Sequence, residues 1–171
     1  MSASLPTTGT WNIEGVHSTA TISVEHNVVA TFRAQFVGLS GTLENGVLSG
    51  SVPAEGLQVS IPMLKEHALG EGFLDAANHP ALTFHSSEIH AHDDGTVHLN
   101  GEITIKGVTK PITASGIVTG PQEVTRVDGN VGEYLGLELT TTVDRRDFGL
   151  EIFAGTGWDV TIGVNLELVK E

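Results

Sequence analysis

Residues 96–111 read TVHLNGEITIKGVTKP, and apolar and polar side chains alternate along this segment. Successive side chains of an extended strand point to opposite faces, so the pattern predicts a strand with one dry face and one wet face. The dry face carries Val97, Leu99, Ile103 and Ile105. The function of the chain therefore depends on a curved sheet and on what its dry face encloses.

Turn signals separate this strand from its neighbours. Gly107 can take the positive φ that a tight turn after the strand requires. Asn45-Gly46 is a strong signal for a type I′ hairpin turn. The same alternation recurs elsewhere, most clearly in Val160–Leu168. About eight or more strands joined by such turns predict an all-β fold, either a closed antiparallel barrel or a sandwich, and the long, regular strands favour the barrel.

One segment departs from this alternation. Pro62 can open a helix, and the apolar residues that follow it fall near helical spacing, so we predict one short helix over residues 63–77. Gly70 and Gly72 weaken the second half of that helix.

The chain shows no linker and no internal repeat. Residues 1–8 are interpreted as a flexible leader and residues 9–171 as a single domain, a length that suits one hydrophobic core. Pro121–Gly132 is interpreted as an irregular polar loop.

The composition excludes several kinds of partner and chemistry. The formal net charge is −13, with 8 Lys and Arg against 21 Asp and Glu, so we expect no nucleic-acid partner. No segment approaches the roughly 20 apolar residues of a membrane span, so we expect no stable membrane insertion. The absence of cysteine excludes disulfides, thiolate metal ligands and cysteine nucleophiles.

The N-terminus, MSASLPTTGTW, has neither the basic nor the apolar region of a signal peptide. We therefore expect a cytoplasmic protein. A periplasmic or secreted protein whose signal had been removed would read the same way.

Five segments together resemble the YceI-like family of polyisoprenoid-binding, lipocalin-like barrels. They occur in family order and span almost the whole chain. They are Trp11-Asn12-Ile13 with His17-Ser18; Glu25-His26; Gly72-Phe73-Leu74-Asp75 with Asn78-His79-Pro80 and Thr83-Phe84; GEITIKGVTKP at residues 101–111; and Asp144-Arg145-Arg146-Asp147-Phe148-Gly149-Leu150.

The resemblance implies an eight-stranded antiparallel barrel with the helix tucked against it. It also implies an apolar interior that holds one isoprenoid quinone or other long-chain lipid, with no further cofactor. Combined with the alternation of the strands, it gives an expected set of channel-lining residues: Ile22, Val24, Phe36, Leu69, Phe73, Phe84, Ile103, Ile105, Leu137, Leu139 and Ile162.

Three polar residues are candidates for the polar end of the ligand. His26 follows Ala20, Ile22 and Val24 on the predicted dry face, where it would donate or accept a hydrogen bond at the mouth. The alternative is a buried histidine that a backbone or hydroxyl partner satisfies. His17, at a strand start, either contacts a head group or fixes a turn.

Arg145 is the third candidate. It belongs to the charged group Asp144–Asp147, which either contacts a polar head group at the barrel rim or locks a tight corner through Arg–carboxylate pairs.

The sequence leaves other functions open. His90 and His92, with Asp93 and Asp94, resemble metal ligands but lie in a predicted solvated turn, so we expect no metal site. No catalytic motif is present, so we expect binding, transport or storage of a lipid and not catalysis. An enzyme or redox accessory acting on the bound lipid, and a barrel filled by its own side chains, are the alternatives. A homodimer is compatible with the sequence, although no surface for it can be located.

Overall fold

The computed structural model describes residues 4–171. Residues 1–3 of the predicted leader lie outside that range. Within it, the strands are β1 (Thr10–Ile13), β2 (Thr19–His26), β3 (Ala30–Phe36), β4 (Ser40–Glu44), β5 (Val47–Pro53), β6 (Leu57–Gln58), β7 (Ala81–Ala91), β8 (Thr96–Ile105), β9 (Val108–Thr125), β10 (Val131–Asp144) and β11 (Thr156–Lys170). The helix α1 covers Pro62–Leu69, and two 3-10 turns cover Ala54–Gly56 and Arg145–Phe148.

The eleven strand segments of the described chain form the eight sides of a closed antiparallel barrel. Strands β1 and β2 both pair with β11, so together they make one interrupted side. Strands β3 and β4 pair with β2 and β1, and β5 and β6 pair with β4 and β3, so these also act as two interrupted sides. Strands β7 to β11 supply the remaining five. The predicted eight-stranded barrel is therefore confirmed.

The first and last sides close the ring. Ile13 pairs with Leu168 in β11, and Thr19 pairs with Asn165. Between these two pairs the chain bulges, and buried Ser18 holds the bulge in place. The Ser18 hydroxyl accepts the Glu167 N–H at 2.9 Å and donates to the Glu167 carbonyl at 3.4 Å. The barrel therefore has a continuous wall at this seam.

The wall has one side where the ladder is incomplete. Strand β5 pairs with β7 from Ser49–His85 to Pro53–Ala81, but β6 pairs only with β3 in the described chain. Residues 59–80, which include α1, connect β6 to β7, and Ala68 and Leu74 of this connection pack in one hydrophobic cluster with Leu57 of β6. The Ala54 N–H donates to the Pro80 carbonyl at 2.8 Å and closes this connection.

Strand β8 shows the predicted alternation. Val97, Leu99, Ile103 and Ile105 are buried, and the intervening side chains of His98, Asn100 and Glu102 are exposed. Lys106 and Gly107 follow with φ of 51° and 74°, which gives the predicted tight turn. Gly101 lies between the buried residues because Phe84 packs over it: a Cβ atom there would lie 2.9 Å from the Phe84 ring.

The helix is shorter than predicted. It starts as expected at Pro62 but ends at Leu69, and residues 71–77 form turns. Gly70, the residue after the helix, has an extended backbone with φ −68° and ψ 166°. Since glycine stabilises a helix less than other residues, the stretch Gly70-Glu71-Gly72 cannot sustain the helix that 63–77 would require.

The predicted loop over Pro121–Gly132 was also wrong in extent. Strand β9 continues to Thr125 and β10 begins at Val131, so this segment is mostly the far end of a long hairpin. This hairpin end extends beyond the barrel and buries neither face. Its side chains are therefore mostly polar, and the sequence shows no alternation of apolar and polar residues there.

Two hydrophobic clusters fill the barrel, one toward each end. The closed-end cluster consists of Trp11, Leu43, Leu48, Val97, Leu99, Ala114, Val118, Leu135, Leu137, Leu139, Leu166 and Leu168. Leu5 packs against it, and the Ser4 N–H donates to the Gly120 carbonyl at 3.2 Å. The mouth-side cluster consists of Ala20, Ala34, Phe36, Leu57, Ala68, Leu74, Ile103, Ile105, Val143, Phe148 and Leu150.

Candidate functional site

Two cavities lie inside the barrel and follow one another. The inner chamber has a volume of about 150 Å³, and the outer chamber has a volume of about 270 Å³. Both are lined by Ile22, Phe36, Leu82 and Ile162, which places the chambers on the two sides of one ring of apolar side chains. The surface of the inner chamber is almost entirely carbon. The barrel thus contains an apolar channel in two parts.

Most of the expected channel residues line these chambers. Ile22, Phe36 and Ile162 line both. The inner chamber is also lined by Phe84, Ile103 and Leu139. The outer chamber is also lined by Val24, Phe73 and Ile105. Strand alternation identified the members that lie on strands, because every second residue of each strand faces the interior of a barrel. Phe73, which lies in the turns after α1, was expected from the family resemblance.

Two expected residues line neither chamber. Leu137 is fully buried in the closed-end cluster, paired with Leu166 at the floor of the inner chamber. Leu69 packs against the mouth-side cluster at the last position of α1. Alternation gives the face on which a residue lies but not its depth along the barrel, and for Leu69 the early end of the helix changes the direction of the chain.

Several lining residues come from segments that alternation does not describe. Phe153 and Ala154, in the connection before β11, line the outer chamber. The Phe153 ring meets the Phe73 ring edge to face, with centroids 4.9 Å apart and planes at 81°. Phe153 has a φ of 76°, so its backbone is held in the left-handed region. Such contacts between irregular segments leave no periodic signal in the sequence.

His26 lies at the mouth of the outer chamber. It ends β2, pairs with Thr156 of β11, and is exposed. Both residues line the outer chamber. The alternative interpretation of His26 as a buried histidine is therefore wrong. Its imidazole has access to solvent and to the chamber.

Arg145 also lines the outer chamber, but its N–H groups are bonded to backbone carbonyls. Its residue surface is only 3% exposed. Within the described chain, its guanidinium donates to five backbone carbonyls between Leu150 and Gly157. The acceptors are Leu150, Ile152 at 2.8 Å, Phe153 at 3.5 Å, Thr156 at 3.0 Å and Gly157 at 2.8 Å.

This arrangement makes Arg145 a clamp for the segment Leu150–Gly157, which we call the mouth segment. Guanidinium has five N–H donors, and all five have a carbonyl partner. The guanidinium carbon also lies 4.4 Å from the centre of the Trp158 ring. Burial lowers the pKa of Arg145, while nearby Asp144 opposes that shift. The hydrogen bonds of Arg145 are therefore not those of the predicted contact with a head group.

The Arg–carboxylate corner considered from the sequence is made by the next residue. Arg146 Nη2 lies 2.5 Å from Asp144 Oδ2, and Asp144 Oδ1 accepts the Arg146 N–H at 2.9 Å. The Arg146 side chain, followed by its N–H, lowers the pKa of Asp144 to about 2. The pair caps the 3-10 turn Arg145–Phe148 and so sets the direction in which Arg145 leaves the strand.

His17 lies outside both chambers. Its ring Nδ1 is 2.8 Å from the Glu14 carboxylate and 3.8 Å from the Glu167 carboxylate. These three residues are the described ones whose metal-binding atoms converge, within 4.8 Å of one another. The Glu14 carboxylate also accepts the His17 N–H at 2.8 Å, a bond that lowers the pKa of Glu14. The contacts are those of the turn between β1 and β2, the second role considered for His17.

The histidines of the β7–β8 hairpin are engaged with their neighbours. His90 Nε2 lies 2.8 Å from a Glu88 carboxylate oxygen, and the His92 and His98 rings meet edge to face at 5.3 Å. These contacts lie on the outer surface and do not reach the chambers.

A closed eight-stranded antiparallel β-barrel with an apolar channel and a small polar mouth has the lipocalin-like architecture. The match to a YceI-like domain model over residues 11–168 then shows the family: the chain belongs to the YceI-like family. A UPF0312 protein from Pseudomonas putida strain F1 is 27% identical over 146 residues, which cover 85% of this chain and 74% of that protein.

Solved structures share the fold at low sequence identity. Burkholderia cenocepacia BcnA aligns with a TM-score of 0.73 and 14% identity, over 93% of this chain and 99% of that chain. A polyisoprenoid binding domain from Saccharophagus degradans aligns with a TM-score of 0.70 and 11% identity, over 94% and 98% of the two chains. In the described part of the present chain, no helix is long and apolar enough to cross a bilayer.

Proposed function

We propose that this protein binds one isoprenoid quinone or other long-chain amphiphile in the barrel, for storage or transfer and without chemical change. The observation that carries the proposal is the pair of consecutive apolar chambers with polar side chains at the mouth. The polyisoprenoid-binding description of a structural relative supports the same class of ligand. The lipid itself is the ligand, and we propose no resident cofactor.

The apolar lining is sufficient to hold a tail. Burying an apolar tail contributes about 0.8 kcal/mol per methylene, so a tail of some 15 carbons gains on the order of 12 kcal/mol before the cost of ordering it. An apolar cavity of about 150 Å³ remains dry when empty, so a tail entering the inner chamber displaces little ordered water.

The mouth fits a small, uncharged head group better than a phosphate. His26 and Thr156 are available to a ligand in the outer chamber, whereas the N–H groups of Arg145 are all bonded to backbone carbonyls. A quinone carbonyl or a hydroxyl needs one or two partners, and two side chains supply that number. A phosphate, with several charged oxygens, would leave most of its hydrogen bonds unmade inside the chamber.

Native mass spectrometry of the purified protein, with extraction and identification of any lipid, tests this function. We expect one lipid per barrel, or uptake of one added quinone by protein that purifies empty. A barrel that stays empty after incubation with isoprenoid quinones and with fatty amides contradicts the proposal. Recovery of a modified lipid after incubation would instead indicate an enzyme.

A further inference from the structure

The neighbouring strands β10 and β11 run the length of the barrel, so their paired residues mark positions along its depth. Their inward-facing residues pair in steps of two along the strands. From the closed end to the mouth, the pairs are Leu135–Leu168, Leu137–Leu166, Leu139–Val164, Thr141–Ile162 and Val143–Val160. Each step advances roughly 7 Å along the strand.

The chambers occupy only part of this scale. Val143 and Val160 line the outer chamber, and Leu139, Val164 and Leu166 line the inner chamber. The three residues nearest the closed end line neither. They are Leu135, Leu137 and Leu168, each at most 1% exposed. The channel therefore stops at the level of Leu166.

Five residues at or next to that level belong both to the floor and to the lining of the channel. They line the inner chamber and are also members of the closed-end cluster: Leu48, Leu99, Ala114, Leu139 and Leu166. Below them Trp11, at 2% exposure, and Leu43, at 0%, complete the packed end. A tail cannot pass this layer without displacing a close-packed core.

We propose that this floor sets the length of tail that the barrel holds: about three to four isoprene units fit inside with the head group at the mouth, and a longer tail leaves its remaining units and its head group outside. The proposal rests on the proposed function and adds the length of chain that the site selects. It assigns the cut-off to the side chains of the floor, with Leu166 and Ala114 as length-determining residues.

The depth of the channel along β11 and the volume of the two chambers both give this length. The head group lies at the level of His26 and Thr156, so the tail begins near Val160. From Val160 to Leu166 the strand runs roughly 20 Å, or roughly 15 Å along the axis of a barrel whose strands tilt by about 40°. An extended chain advances about 1.2 Å per bond, so this depth holds about three isoprene units of four chain bonds each. By volume, a cavity of about 150 Å³ accommodates one benzene-sized group, so the two chambers hold roughly 15 to 18 carbons.

Competition among tails of different length tests the inference. The protein is mixed with benzoquinones whose isoprenoid tails range from about one to about eight units, and native mass spectrometry measures the occupancy by each. We expect affinity to rise by at least about tenfold per unit up to three units, and by less than about threefold per unit beyond four.

Two variants of opposite effect identify the floor. Leu166→Ala removes part of the floor and should move the cut-off to a tail about one unit longer. Ala114→Leu adds a side chain to the inner chamber and should move the cut-off about one unit shorter. Ala114 pairs with Leu99 at the same level of the floor. Because the two changes act in opposite directions, one variant that folds is enough to test the assignment.

Val143→Ala is the matched control. Val143 lines the outer chamber, well above the floor. It should weaken binding of every tail without moving the cut-off. The inference is overturned if affinity keeps rising to the longest tail. It is also overturned if the cut-off stays in place in floor variants that fold. In both cases the binding function stands. Failure to bind a quinone of any length contradicts the proposed function itself.

Discussion

Arg145 is the residue on which the mouth of the barrel depends. One buried guanidinium satisfies five carbonyls: three lie between Leu150 and Phe153, where the chain is in neither a strand nor a helix, and two lie at the start of β11. A carbonyl that loses its partner in a buried position costs free energy, so the clamp is worth more than the same hydrogen bonds would be on the surface.

Replacing Arg145 by methionine should release the mouth segment. The change keeps an unbranched side chain and removes five donors, so we expect the free energy of unfolding to fall by at least about 3 kcal/mol. Urea denaturation measures the loss, and hydrogen exchange should speed up first in residues 150–157. Arg33→Met is the control, because Arg33 is an exposed arginine on β3 and its change should have a far smaller effect. Equal destabilisation by both variants would rule out the clamp.

The Asp144–Arg146 pair predicts a specific dependence on acid. The pKa of Asp144 is about 2 in the folded protein, below its ordinary value of 3.8. A depressed pKa means that the ionised carboxylate stabilises the fold fully above about pH 4, and that this contribution is lost as the pH falls toward about 2. The difference in unfolding free energy between the wild type and Asp144→Asn should therefore shrink over that interval. A difference that is the same at every pH would show that the charge contributes nothing.

At the scale of the element, β8 shows how far a strand pattern can be interpreted. Alternation identified its buried face, and its glycine turn followed from Gly107. Alternation also identified the apolar strand faces that line the chambers. Neither the depth of Leu137 nor the contact between Phe73 and Phe153 could be predicted, because depth depends on barrel tilt and the phenylalanines meet through irregular segments. By contrast, Gly70 and Gly72 in the sequence did indicate that the second half of the helix is weak.

The same strand gives a test of packing. In β8, Gly101→Ala would place a methyl group 2.5 Å from the His85 carbonyl oxygen and 2.9 Å from the Phe84 ring. We expect a loss of about 1–3 kcal/mol in unfolding free energy, because the core must shift to make room. Gly136→Ala in β10 is the matched control, since the nearest atom there is at an ordinary contact distance of 3.5 Å. It should leave stability unchanged or raise it slightly. The opposite ranking would show that Phe84 does not require the glycine.

At the scale of the whole molecule, an apolar channel makes stability depend on its contents. The empty chambers leave surrounding side chains without contacts that a tail would supply. A ligand that binds only the folded barrel stabilises it by about 2.7 kcal/mol at one hundred times its dissociation constant.

Thermal unfolding measures this coupling. For a domain of this length, that stabilisation should raise Tm by roughly 5–10 °C in the presence of a quinone with three isoprene units. The same quinone ring without a tail serves as the control and should leave Tm nearly unchanged. A Tm shift of similar size with both compounds would mean that the head group supplies the binding free energy. That result would contradict binding of the tail in the channel.

The seam between the first and last sides has a consequence for synthesis. Strand β11 supplies the pairing partner of both β1 and β2, so the barrel remains an open sheet until the last strand has left the ribosome. Val160, Ile162, Val164 and Leu166, one wall of the channel, arrive with that strand. A nascent chain therefore has an exposed apolar surface but no enclosed channel, and the channel forms in a single step when the chain closes on itself.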